Sequence, residues 1–109
     1  MVIFETPVFT RRIQDLLEDD EYAALQYALT LAPSLGDKIP GTGGLRKVRW
    51  AAEGRGKRGG IRVIYYHWSQ AGQLYMLYAY AKNEQHDLTP EQKRSLKRLV
   101  DQEVPDEKA

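Results

Sequence analysis

Residues 61–68, IRVIYYHW, constrain the fold more than any other stretch of this chain. Six of the eight are β-branched or aromatic, which suits a pleated, half-buried strand. A turn over 69–73, centred on Ala71 and Gly72, follows, and LYMLYAYA over 74–81 is a second β segment. The pair reads as a hairpin. Leu45 to Ala52 supplies a third strand, separated from the hairpin by the Gly-rich turn EGRGKRGG over 53–60. Arg62 is the awkward member of an otherwise apolar strand. A guanidinium in mid-sheet needs either an anionic partner or a wet face.

The flanking segments read as helices. Thr6-Pro7 has the grammar of a helix start, with Thr as cap and Pro in the first turn. Phe9, Ile13, Leu16 and Leu17 then form an apolar stripe. Asp19, Asp20 and Glu21 suit the positive end of a second helix, with Tyr22, Leu25, Leu29 and Ala32 at helical spacing and Pro33 as the stop. Residues 34–44 read as a loop on turn chemistry. Thr89, Pro90 and Gln92 announce a third helix through a capping box, and Leu96, Leu99, Val100 and Val104 are its stripe. Val2-Ile3-Phe4 is a candidate edge strand. The order is β-α-α-β-β-β-α. It predicts an α+β fold: an antiparallel β-sheet meander, helices packed on one face, the other face open and basic. At 109 residues the chain suits one domain, residues 1–105, with 106–109 a frayed tail.

Strand period sorts the side chains of that open face. Arg62, Ile64, Tyr66 and Trp68 share one face of their strand. Met76, Tyr78 and Tyr80 share a face of the next, and the period continues to Lys82. Lys47 and Arg49 share a face of the first, opposite Arg46, Val48 and Trp50. If these faces coincide, the sheet carries cations interleaved with tyrosines, a pattern suited to phosphates and splayed bases. Each tyrosine alone is explained by strand propensity; the cations are not. His67 falls on the opposite face from Arg62 and reads as structural.

The formal net charge of +1 hides a segregation. Residues 46–62 hold seven basic side chains against Glu53 alone, while residues 1–37 hold two arginines against seven carboxylates. The basic stretch, with Arg46, Lys47, Arg49, Arg55, Lys57 and Arg58, is also glycine-rich. It reads either as a solvated loop or as a phosphate-binding surface. With no cysteine, thiol nucleophiles, thiolate metal sites and disulfides are excluded, which fits a reducing cytoplasm. No metal-ligand spacing is present, and Gly-Thr-Gly-Gly at 41–44 lacks the Lys of a P-loop. No apolar run approaches the ~20 residues needed to span a membrane, and the start has no signal-peptide pattern. Two histidines, His67 and His86, cannot be matched to a two-histidine acid–base pair.

Three runs, GTGGLRKVR over 41–49, GRGKRGGIRVIYY over 54–66 and YAYAKNE over 78–84, resemble the RelE/HigB superfamily of bacterial toxins, especially its HigB-type branch. The resemblance covers nearly the whole chain. It implies a microbial-RNase-like fold and a toxin of a type II toxin–antitoxin pair. It also implies a ribosome-dependent endoribonuclease that cuts mRNA in the A site by 2′-OH attack, with no metal or cofactor. Lys47 and Arg49 would contact phosphates, Arg62 would stabilise the scissile phosphate, and Lys82 would occupy the family's lysine position. Asn83 and Leu88 depart from the pattern at positions where the best-studied members carry arginine and a catalytic tyrosine. The general base stays open among Glu84, Tyr66, Tyr80, His86 and a lysine. The implied partners are a helix-turn-helix, HigA-like antitoxin, the 70S ribosome and mRNA, with operator DNA reached only through the antitoxin. The implied compartment is the bacterial cytoplasm. A non-catalytic RNA- or ribosome-binding module on the same scaffold is the alternative.

Overall fold

In the computed structural model, residues 1–52 and 59–104 are described. In chain order the elements are β1 (Val2–Glu5), α1 (Pro7–Leu16), α2 (Asp19–Leu31), β2 (Asp37–Lys38), β3 (Arg46–Trp50), β4 (Ile61–Trp68), β5 (Gln73–Ala81) and α3 (Pro90–Glu103). The strands form one sheet in the order β1-β5-β4-β3-β2. β3, β4 and β5 make the expected antiparallel meander. β1 adds to β5 in parallel, so the sheet is mixed. Asp37 and Lys38, within the stretch read as loop, pair with Lys47 and Arg46 to form the other edge.

Helix starts follow the sequence grammar. Thr6 Oγ1 accepts the Phe9 N–H at 3.0 Å and donates to the Leu77 carbonyl at 2.8 Å, so one hydroxyl caps α1 and pins it to β5. The Glu21 carboxylate accepts the Glu18 N–H at 2.8 Å at the start of α2. Thr89 and Gln92 make the reciprocal capping box of α3, at 3.1 and 3.0 Å.

The first face of the sheet is covered by α1 and α2. Phe9, Ile13, Leu16, Leu25 and Leu29 pack against Val48, Ile61, Val63, Tyr65, Leu74 and Met76. Tyr65 also ties the chain after α2 to this face. Its hydroxyl donates to the Pro33 carbonyl at 2.7 Å and accepts the Gly36 N–H at 2.9 Å.

The second face departs from the expected arrangement of helices on one side only. α3 lies across it, where Leu96, Leu99, Val100 and Val104 meet Leu45, Ile64, Tyr66, Leu77 and Leu88. The reason is physical: the α3 stripe must bury somewhere, and the first face is already filled. The basic face is therefore narrower than the strand pattern implies. The period is also broken once. Tyr65 pairs with Met76 and Ile64 pairs with Tyr78, leaving Leu77 as the extra residue of a β-bulge. Met76 consequently joins the first-face core, while Leu77, Tyr78 and Tyr80 point to the second face. The expected grouping of Met76 with Tyr78 and Tyr80 is corrected by that one inserted residue. The expected tail at 106–109 lies outside the described residues.

Candidate active site

Register brings the critical side chains into rows. Arg49 pairs with Arg62 across β3 and β4, and Arg62 pairs with Tyr80 across β4 and β5. All three belong to the second face. The next row on that face is Lys47, Ile64 and Tyr78. Like charges placed directly opposite on a sheet destabilise it. A row with two guanidinium groups therefore breaks a folding rule at one spot.

Arg62 is only 7% exposed. Its Nη1 donates to the Gly59 carbonyl at 3.0 Å and to the Ile61 carbonyl at 3.3 Å. These are neutral acceptors, so they position the cation without neutralising it. The Lys82 stem lies over the same turn, with its Cδ 2.7 Å from where a Gly59 side chain would begin. The Lys82 N–H donates to the Gly60 carbonyl at 3.2 Å. Arg62 and Lys82 thus converge on the Gly59–Gly60 turn from two strands.

Tyr80 is fully buried, and its hydroxyl has no hydrogen-bond partner among the described residues. Burial, and then the negative charge of Asp87, push its phenol up to about 12, while the Arg62 guanidinium pulls the other way. The hydroxyl stays protonated at neutral pH, which makes it a donor rather than a base. Linkage gives a sign: a raised phenol contributes stability that is intact below pH 10 and is lost as pH rises from about 10 to about 12. Tyr80→Phe is expected to flatten the fall in thermal midpoint between pH 10 and pH 12. It should also raise stability at pH 7 by about 1 kcal/mol, since it removes an unsatisfied buried hydroxyl. Melting curves across that range check both; a midpoint lowered at pH 7 would show that the hydroxyl is satisfied.

Lys47 Nζ sits 3.4 Å from Asp87 Oδ1. Burial pulls the Asp87 carboxyl up, but the Leu88 N–H at 2.9 Å and the Lys47 charge outweigh it and hold the group below its ordinary range. This pair flanks a groove of about 610 Å³ that also takes in Asp37, Lys38, Arg49 and Lys93. Most of its charged lining is cationic, and Asp87 sits among the cations as a counter-charge.

Other sequence candidates are placed elsewhere. Arg46 belongs to the first face, where Nη1 donates to the Gly36 carbonyl at 2.7 Å and more distantly to Ser34. It fastens the loop and does not join Lys47 and Arg49. Glu84 pairs with Arg12 and accepts the Ala81 N–H at 2.7 Å, so it closes the turn after β5. Tyr66 lies four residues along β4 from Arg62, about 13 Å at strand rise. It packs in the α3 core, with its ring 3.2 Å from where a Gly44 side chain would begin. His86 is exposed in the turn beside Asp87, and Leu88 is core. Arg55, Lys57 and Arg58 lie outside the described residues.

Two participants were not legible beforehand. Asp87 is one of several polar residues between β5 and α3. Arg12 counted only as charge, yet its guanidinium lies 5.3 Å from the Tyr78 ring centroid, donates to the Ala79 carbonyl and pairs with Glu84. It occupies the edge of β5 beyond the reach of β1. No local pattern signals either contact.

The whole described sheet, from β1 to α3, falls within one family match. A family model described as the RelE toxin of the RelE/RelB toxin–antitoxin system matches residues 1–105. The chain belongs to the RelE toxin family. This RelE-family chain is thus the toxin half of a toxin–antitoxin pair, and an antitoxin is its implied partner. Among its described residues, no three His, Asp or Glu side chains cluster as a metal site, and no helix is long and apolar enough to cross a membrane.

Proposed function

We propose that this toxin is a ribosome-dependent endoribonuclease that cleaves mRNA in the A site, in the bacterial cytoplasm, and is neutralised by a HigA-like helix-turn-helix antitoxin. The observation that carries the reading is the Arg49–Arg62–Tyr80 row. Two cations face each other in mid-sheet, next to a buried phenol that has no partner among the described residues. A phosphodiester would place between the guanidinium groups an anion that none of the described residues supplies.

In this reading the 2′-oxygen attacks the adjacent phosphorus, and the P–O5′ bond breaks to leave a 2′,3′-cyclic phosphate and a free 5′-hydroxyl. Arg62, held from behind by two carbonyls, meets the growing charge on the phosphoryl oxygens as a preorganised oxyanion-hole donor. Arg49 and Lys47 hold neighbouring phosphates along the groove. Lys82, at the Gly59–Gly60 turn, is the group placed to move the 2′ proton or protonate the leaving oxygen. Tyr80 is too firmly protonated for the first task, and Glu84 is engaged by Arg12.

Induced expression followed by mapping of mRNA 5′ ends is the direct test. Cuts phased with codons on translated messages, and absent from untranslated ones, are expected. Growth arrest without cuts would favour the non-catalytic ribosome-binding module. The burial of Leu88, at a position where the best-studied members carry a tyrosine, is the observation on that side.

A second expectation arises from the like-charge row. Arg49→Thr should stabilise the fold by about 0.2–1 kcal/mol, because it removes the repulsion across β3 and β4. The same change should weaken RNA affinity and flatten its salt dependence by roughly one unit of slope, the signature of one lost phosphate contact. Unfolding in urea and binding titrations at several salt concentrations check the two parts. A variant that is less stable and binds RNA as well as the parent would remove Arg49 from the site.

A further inference from the structure

Helix α2 is apolar on two opposite sides. Leu25 and Leu29, with Tyr22, face the sheet and are part of the first core. Tyr27 and Leu31 lie two residues further along, about 200° around the helix at 3.6 residues per turn. They are 68% and 67% exposed, among the most exposed large apolar side chains described. Ala24, Tyr27 and Leu31 continue the 4-3-4 spacing that starts at Asp20, so these four make one straight seam along the outside of α2. A solvent-facing helix side is normally polar; one that repeats the apolar spacing of the buried side is built to be covered.

Charge selects what covers it. α2 contains no basic residue, and its first turn holds Asp19, Asp20 and Glu21, preceded by Glu18. A second copy docked through the same helix would bring the same carboxylates and no cation to meet them. RNA would be repelled by the acidic end. A protein helix with an apolar stripe and lysines or arginines at one end matches both halves of the seam, in the helix-to-helix mode of recognition. Asp20 and Ala24 of the seam also line a hollow of about 500 Å³ with Glu18, Glu21 and Trp50.

We propose that the outer seam of α2, formed by Asp20, Ala24, Tyr27 and Leu31, is a docking surface for a basic amphipathic helix of the antitoxin. The proposal rests on the toxin–antitoxin assignment and adds the surface and the chemistry of the contact. The seam lies on the first-face side of the sheet, whereas Arg49, Arg62 and Tyr80 lie on the second face. Substitutions in the seam therefore leave the RNA-binding row untouched.

The test uses the full chain and the protein encoded by the adjacent reading frame, co-expressed and then titrated as separate components. The double variant Tyr27→Lys, Leu31→Lys is expected to lower affinity about 30-fold or more, the loss typical of central apolar anchors. It should also restore growth arrest in cells making both proteins, while the chain expressed alone stays as toxic as the parent. Asp20→Asn should slow association and weaken its salt dependence. Unchanged thermal midpoints for these surface variants confirm that folding is intact. Undiminished binding by the double variant overturns the proposal. So does a parent chain that ignores the neighbouring product, or one that dimerises by itself and is split by Leu31→Lys. Binding lost in Arg49→Thr but kept in the double variant also overturns it, by moving the partner to the cationic face. If the parent neither arrests growth nor cuts RNA, the nuclease reading fails alone, because the titration still decides the docking surface.

Discussion

Arg62→Ala is expected to reduce mRNA cleavage by about 10²–10³-fold while leaving the protein folded, the loss seen when one preorganised oxyanion donor is removed. The case rests on how the side chain is held. Its hydrogen bonds among the described residues go to the Gly59 and Ile61 carbonyls, neutral acceptors that orient the guanidinium. Two effects on stability oppose each other. Losing the side chain strands two acceptors and removes packing from a nearly buried position. Losing the charge relieves the repulsion from Arg49 across the strand pair. The net change should stay within about 2 kcal/mol, small against the ~5–15 kcal/mol of an ordinary domain. Arg62→Lys should recover little activity, because a point charge cannot keep two carbonyls and a phosphate oxygen in one plane. The measurement is growth arrest on induction, together with 5′-end mapping and a melting curve for each variant. Full toxicity in a folded Arg62→Ala protein would show that the row serves something other than phosphate chemistry.

Gly60→Ala should be strongly destabilising for the addition of one methyl group. Gly60 has φ +73°, in the left-handed region, and an added Cβ would lie 2.3 Å from the Trp50 carbonyl oxygen and 3.3 Å from the Ala51 Cα. Those are backbone atoms of the neighbouring segment, so no rotamer change relieves the clash. Because the Gly60 carbonyl also accepts the Lys82 N–H, a shift spreads to the end of β5. Backbone strain and overpacking each run to about 1–3 kcal/mol, and together the loss should be about 3 kcal/mol or more. Gly41→Ala is the control. Its φ is +74°, but nothing lies within 4 Å of the added carbon. Only the left-handed penalty of about 1–2 kcal/mol is then expected. Urea unfolding of the two variants separates close approach from backbone preference. Equal losses would mean that the Gly60 turn has room that the geometry denies. Activity should fall with stability in Gly60→Ala, because Arg62 is two residues away and leans on this turn.

Much of the fold was legible because it is written in local periodicity and turn chemistry. The caps at Thr6 and Thr89, the stop at Pro33 and the hairpin from Ile61 to Ala81 all depend on residues within a few positions of one another. The RelE-type runs were legible for the same reason. What failed was the continuation of a period. A single extra residue, Leu77, moves Met76 to the core under α1 and α2 and brings Tyr78 and Tyr80 to the other face. Nothing in LYMLYAYA marks the bulge, since every residue in it is an acceptable strand former. The outer seam of α2 was hidden differently: the stripe of Tyr22, Leu25 and Leu29 marks the buried side, and the exposure of Tyr27 and Leu31 emerges only once that side is seated on the sheet.

By itself, the sequence determined the elements, the α+β class, the segregation of charge and the suspicion attached to Arg62. Each of these follows from neighbours in the chain. Only the tertiary structure decided that Arg49 stands opposite Arg62 and Tyr80, that Glu84 belongs to Arg12, and that Asp87 restrains Lys47. Those facts depend on strand register and on contacts between residues 40 or more positions apart, or on a bulge that no short window of sequence encodes.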